Sequence, residues 1–150
     1  MNKILFVCHG NICRSVMAEM IMRHLIAERG DADQWEIDSC ATSREEIGND
    51  IYPAAKRCLI QHNVPFTRHA ARQITEADYY HFDKILCMEE YNIRNLRRVL
   101  GEDILLQDAV LSQPKIARLL DHDVADPWYT GNFEVTYQDL VAGCNHLLIS

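Results

Sequence analysis

Lys3-Ile4-Leu5-Phe6-Val7-Cys8-His9-Gly10-Asn11-Ile12-Cys13-Arg14-Ser15 is the segment on which the fold turns. Lys3–Cys8 is a short apolar run of strand length and reads as a buried strand. Ser15–Arg29 reads as a helix: Met17, Met20, Ile21, His24 and Leu25 share one face, and Gly30 is a C-terminal stop. The residues between them form a strand-to-helix loop at the place where open α/β sheets bind ligands.

Downstream the pattern repeats. Trp35, Ile37 and Ser39 alternate with Glu36, Asp38 and Cys40, which predicts a second strand. Asp50–Gln61 reads as a helix with Pro53 in its first turn and Ala55, Cys58, Leu59 and His62 facing inward. Lys84–Met88 is a third strand, followed by a helix from Glu89 to Leu100, and Lys115–Leu120 is a fourth. Phe133–Leu148 is the clearest helix, with Phe133, Tyr137, Leu140, Val141, Cys144, Leu147 and Leu148 in one apolar stripe. Strands alternating with helices imply an α/β fold: a parallel sheet with helices on both faces. The 150 residues suit one domain spanning 1–150.

The charge balance, 22 Asp and Glu against 15 Lys and Arg, argues against a general nucleic-acid binder but not against a local positive site. No run approaches the roughly 20 apolar residues of a membrane helix, so no membrane partner is expected. The apolar start, Ile4–Val7, is too short for a signal-peptide core, and a cytoplasmic protein is expected. The six cysteines, at 8, 13, 40, 58, 87 and 144, contain no C-x-x-C pair and no Cys/His cluster of zinc spacing. Cys40, Cys58, Cys87 and Cys144 fall in strand or helix patterns and are expected in the core.

The loop has the parts of an oxyanion cradle. A helix N-terminus offers free N–H groups and a dipole that favour an anion. Gly10 and Asn11 both tolerate positive φ, so the loop can curl into a nest of inward N–H groups. Arg14 can grip two phosphate oxygens with its planar fork. Cys8, at the floor, is surrounded by groups that favour thiolate over thiol, and Ser15 can donate to it. The product is a nucleophile facing phosphorus. The spacing C-x5-R-S is weak by itself and strong between a strand and a helix. The bland reading is a tight turn with a buried Cys and a surface Arg.

Phe6-Val7-Cys8-His9-Gly10-Asn11-Ile12-Cys13-Arg14-Ser15, with Ala18-Glu19 after it, closely resembles the low-molecular-weight protein tyrosine phosphatases. The resemblance continues through Asp38-Ser39, Ala41-Thr42-Ser43, His69–Thr75, Phe82-Asp83, Ile85–Met88 and Asp126-Pro127 with Tyr129, and so covers almost the whole chain. It implies a three-layer fold with a four-stranded parallel sheet and the phosphate-binding loop, Cys8–Ser15, between the first strand and first helix.

Expelling a phenoxide calls for a general acid. Asp126 is the candidate, stiffened by Pro127, with Trp128 and Tyr129 offering aromatic surface to a phenyl ring. Asp121 and Asp123 read as solvated loop charges. The resemblance assigns the acid to Asp126. It also implies that Asn11 holds the loop in shape, that Ser15 bonds the thiolate, and that Ser39 and His69 brace Asn11 and the loop. Cys13 would form a reversible disulfide with Cys8, for which there is a chemical logic in the easy oxidation of a thiolate. The expected substrate is a phosphotyrosine-containing protein or a small aryl phosphate, with inorganic phosphate as product. No cofactor and no metal are expected, since Arg14 and the nest do the neutralising.

The chain departs from the family pattern at several points. Val16 stands where Pro is common, and Trp128 replaces a tyrosine. Glu45 stands where an aromatic often lines the opposite wall, giving an acidic wall that disfavours acidic phosphopeptides. Gly101–Pro114 is longer and more apolar than the family pattern. A thioredoxin-coupled arsenate reductase shares the loop, and Cys87 sits where such enzymes carry a redox cysteine, but Met88–Arg98 contains no partner for it. A protein arginine phosphatase is associated with Thr where this chain has Ile12. An anion-binding redox sensor without turnover is the non-enzymatic alternative.

Overall fold

The computed structural model describes residues 1–149. Strands β1 (Asn2–Cys8), β2 (Trp35–Ala41), β3 (Lys84–Cys87) and β4 (Ile116–Arg118) form one sheet in the order β2-β1-β3-β4, with every pair parallel. Helices α1 (Arg14–Arg29), α2 (Pro53–Gln61) and α7 (Phe133–Ile149) pack on one face. Helices α3 (Glu76–His81), α4 (Glu90–Leu100) and α5 (Glu102–Ala109) pack on the other, and α6 (Pro127–Thr130) is one turn near the first strand's end.

β1 shows why its sequence is a continuous apolar run. Successive side chains point to opposite faces. Ile4, Phe6 and Cys8 enter the core under α1 and α7, while Leu5 and Val7 enter the core under α3 and α4. A strand buried on both sides leaves no place for a polar residue. The chain moves from β1 to one side for β2 and then to the other side for β3, so the carboxyl end of β1 is the switch point.

α1 carries more than one inward face. Every residue from Arg14 to Met22 is buried, because the helix lies between the sheet and α7. His24 and Leu25, predicted on the inner face, are only half-buried. α2 starts at Pro53 rather than Asp50, since the residue before a proline is pushed to extended backbone and Tyr52 adopts φ −57°, ψ 136°. β4 is trimmed to three residues. α7 crosses β4's exit so closely that a Cβ on Gly143 would lie 2.5 Å from Leu119. The apolar segment after Gly101 is α5, whose Asp108 accepts hydrogen bonds from the Lys115 and Ile116 amides at 2.9 and 3.1 Å and so secures the start of β4. Asp123 is more than a solvated charge: it accepts from the Glu90 amide at α4's start and pairs with Arg118 at 3.0 Å.

Candidate active site

The loop is held from outside. The carbonyls of Cys8, His9 and Ile12 accept from the amides of Thr42, Ser43 and Tyr52, and the Asn11 carbonyl is 2.7 Å from His69 Nε2. In a planar trans peptide the N–H points opposite the C=O. Each outward carbonyl therefore turns the next N–H inward, which gives His9, Gly10, Ile12 and Cys13 amides facing a common centre. Asn11 alone takes positive φ, at 62°. Gly10 does not use that freedom. A Cβ there would sit 3.4 Å from Glu46 Cγ.

Cys8 Sγ lies on the floor, 3.0 Å from Ser15 Oγ, and accepts from the Asn11 amide at 3.3 Å. Asn11 is fully buried, and its side-chain amide donates to Ser15 Oγ at 2.8 Å and Ser39 Oγ at 3.0 Å. Its Oδ1 accepts from the Arg72 amide. Ser39 donates to Glu19 Oε1 at 2.6 Å, and Arg23 holds the other Glu19 oxygen. The family resemblance implies Ser39 and His69 beside Asn11, and both are there. It assigned no role to Glu19 or Arg72, which complete the network.

Arg14 is 2% exposed, which excludes the bland surface-arginine reading. Its Nη1 donates to the Val124 carbonyl at 3.0 Å, and its Nη2 reaches Glu89 Oε1 at 3.3 Å and Asp126 Oδ2 at 3.2 Å. Burial alone would lower its pKa, but the Cys8, Asp126 and Glu89 charges outweigh burial and hold the guanidinium above its ordinary range. Asp126 arrives through backbone pairing: the Met88 amide donates to Val7, and the Val124 amide donates to Met88. Asp126 Oδ1 caps α6 through the Trp128 amide, leaving Oδ2 toward Arg14. Glu89 and Val124 were not anticipated. The only sequence signal at Glu89 is its capping box with Asn92, which marks a helix start.

These groups surround a cavity of about 160 Å³, walled by Trp128 and Tyr129 on one side and Glu45 and Glu46 on another. Trp128 leans on Tyr52, ring centroids 4.9 Å apart, and Tyr52 stacks on Phe133. Glu45 is 3.0 Å from His9 Nε2. Cys13 also lines the cavity, and burial, then the Cys8 and Asp126 charges, push its thiol up to about 12. A cysteine sulfur, a ring of amides, a buried guanidinium and a carboxylate at the rim together form an arrangement suited to phosphoryl transfer.

Residues 3–150 match the family model of the low molecular weight phosphotyrosine protein phosphatases. The human protein of that name is 39% identical over 153 residues, covering 97% of this chain and 92% of its own. The crystal structure of YfkJ from Bacillus subtilis has a TM-score of 0.89 at 38% identity and covers 99% of this chain and 93% of that one. A Drosophila arginine phosphatase structure has a TM-score of 0.81 at 30% identity, covering 97% and 95%. The chain belongs to the low molecular weight phosphotyrosine protein phosphatase family.

Proposed function

We infer that the chain is a protein tyrosine phosphatase, a phosphoric monoester hydrolase, and propose that Cys8, Arg14 and Asp126 carry its reaction. The Cys8 thiolate attacks phosphorus, the P–O bond to tyrosine breaks, and Asp126 passes its proton to the leaving phenolic oxygen. In the second step water attacks the phosphocysteine and gives a proton to Asp126. The P–S bond breaks and inorganic phosphate leaves. Arg14 and the inward amides stabilise the equatorial oxygens in both transition states. The observation that carries this reading is the convergence of Cys8, Arg14 and Asp126 on one small cavity.

Trp128 and Tyr129, both exposed, are suited to stack on a substrate phenyl ring. Ile12 offers no hydrogen bond to a guanidinium leaving group, which favours phosphotyrosine over phosphoarginine. Glu45 and Glu46 at the rim favour basic residues beside the phosphotyrosine of a protein substrate. Cys87 is fully buried in the opposite core, and burial drives its thiol pKa well up, which speaks against the arsenate-reductase reading. The chain acts as one catalytic domain in the cytoplasm. No helix among the described residues is long and apolar enough to cross a membrane.

A panel of phosphotyrosine, phosphoserine, phosphoarginine and small aryl esters tests the proposal. Wild type cleaves phosphotyrosine and aryl esters fastest. Cys8→Ser loses turnover by about 10⁴-fold or more while still binding phosphate. Equal activity of the two proteins would rule out the thiolate mechanism.

A further inference from the structure

Cys58, His62 and Glu134 come together where the end of α2 meets the start of α7, although the sequence showed no Cys/His set of zinc spacing. Cys58 and His62 lie four residues apart at the end of α2, and Glu134 is in the first turn of α7. One ligand atom from each lies within 4.8 Å of the others. His62 Nε2 is 2.7 Å from Glu134 Oε2. Cys58 is buried, with Sγ 3.7 Å from the Phe133 carbonyl, a weak hold for a thiol proton. The His62 and Glu134 side chains are 26% and 53% exposed, so an ion can reach the cluster from solvent.

The surroundings orient these groups. The His62 ring stacks on Tyr137 at 3.7 Å between centroids and 10° between planes. Gln138 Nε2 donates to Glu134 Oε1 at 2.9 Å, leaving Oε2 to face His62. Such outer contacts fix ligand geometry in metal sites. A tetrahedral zinc ion with one sulfur, one nitrogen and one oxygen ligand separates its donor atoms by about 3.5 Å. The nitrogen and oxygen here must spread by less than an ångström, which side-chain rotation provides. The soft sulfur and the imidazole together favour zinc over magnesium or calcium.

We propose that Cys58, His62 and Glu134 form a zinc site that clamps the end of α2 to the start of α7, with water in the fourth position. On binding, the Cys58 S–H bond ionises, its proton goes to solvent, and the thiolate takes the ion. The clamp adjoins the catalytic wall, because Phe133, next to Glu134, stacks on Tyr52, whose amide donates to the Ile12 carbonyl of the phosphate loop.

Cobalt(II) titration of the full chain carrying Cys8→Ser tests this, since that variant lacks the active-site nucleophile as a competing ligand. The expected result is one equivalent of cobalt with a thiolate-to-cobalt charge-transfer band, displaced by zinc. Adding Cys58→Ser or the partly exposed His62→Asn abolishes the band, and Gln138→Ala weakens binding about tenfold. Circular dichroism checks that each variant is folded. Absence of the band in Cys8→Ser, or its survival in folded His62→Asn, would overturn the proposal.

Discussion

Beneath the phosphate loop, Asn11, Ser15, Ser39 and Glu19 are hydrogen-bonded out of contact with water. On the other face of the sheet Asp108 is as deeply buried and accepts from the Tyr79 hydroxyl at 2.8 Å and from two backbone amides. The two networks are alike in burial and satisfaction, and they differ in where they end. The Asp108 network closes on itself at the start of an edge strand. The Asn11 network ends at a cavity and holds Asn11 in left-handed backbone, a conformation asparagine tolerates better than most residues. Buried polar groups alone therefore do not identify a site. Convergence on open space does.

That contrast can be pressed. After the loss at Cys8, the largest expected effect is at the cavity rim, where Asp126→Asn lowers turnover by about 10²–10⁴-fold, most for esters with poor leaving groups. Equal losses across a leaving-group series would remove Asp126 as the acid. Next comes the pair of network substitutions. Asn11→Ala lowers kcat by about 10- to 100-fold, because the loop loses the amide that fixes Ser15 and Ser39. Asp108→Ala leaves kcat/KM unchanged and lowers stability by about 1–3 kcal/mol in denaturant unfolding, since Tyr79 and two amides lose their acceptor. If Asp108→Ala impaired catalysis as much as Asn11→Ala, the distinction between the networks would collapse. The smallest effect concerns the thiols. Mild peroxide followed by peptide mapping should join Cys8 to Cys13 and leave Cys40 and Cys87, buried in the opposite core, reduced. Sulfinic acid at Cys8 with Cys13 untouched would remove Cys13 as its guard.

The contrast also separates what the sequence makes readable from what it hides. β1 is a continuous apolar run and α1 and α7 are long helical segments, and their predicted bounds fall within a residue or two of those observed. The phosphate loop is readable because Cys8, Arg14 and Ser15 are contiguous with the strand and helix that position them. α3 leaves little trace in the sequence beyond the Thr75–Asp78 capping box, because six residues show too little periodicity. α5 is equally faint, because Ile104, Leu105 and Leu106 cluster without a clear stripe. Contacts between distant segments stay hidden. Arg14 meets Glu89 and the Val124 carbonyl across 75 and 110 residues, and a backbone carbonyl leaves no mark in sequence. Asp126 is marked in the sequence by its Asp-Pro pair and the family resemblance, whereas Cys58, His62 and Glu134 meet only when two helices pack.

The outward carbonyls of the phosphate loop bear on how this sequence can drift. Three of their four holders are main-chain amides, at Thr42, Ser43 and Tyr52, and only His69 uses a side chain. Those three hydrogen bonds do not depend on which side chains stand at 42, 43 and 52. Proline is the exception, because it removes the amide hydrogen. A cradle fixed largely by backbone can keep its shape while the residues around it, Glu45 among them, are exchanged for new substrates.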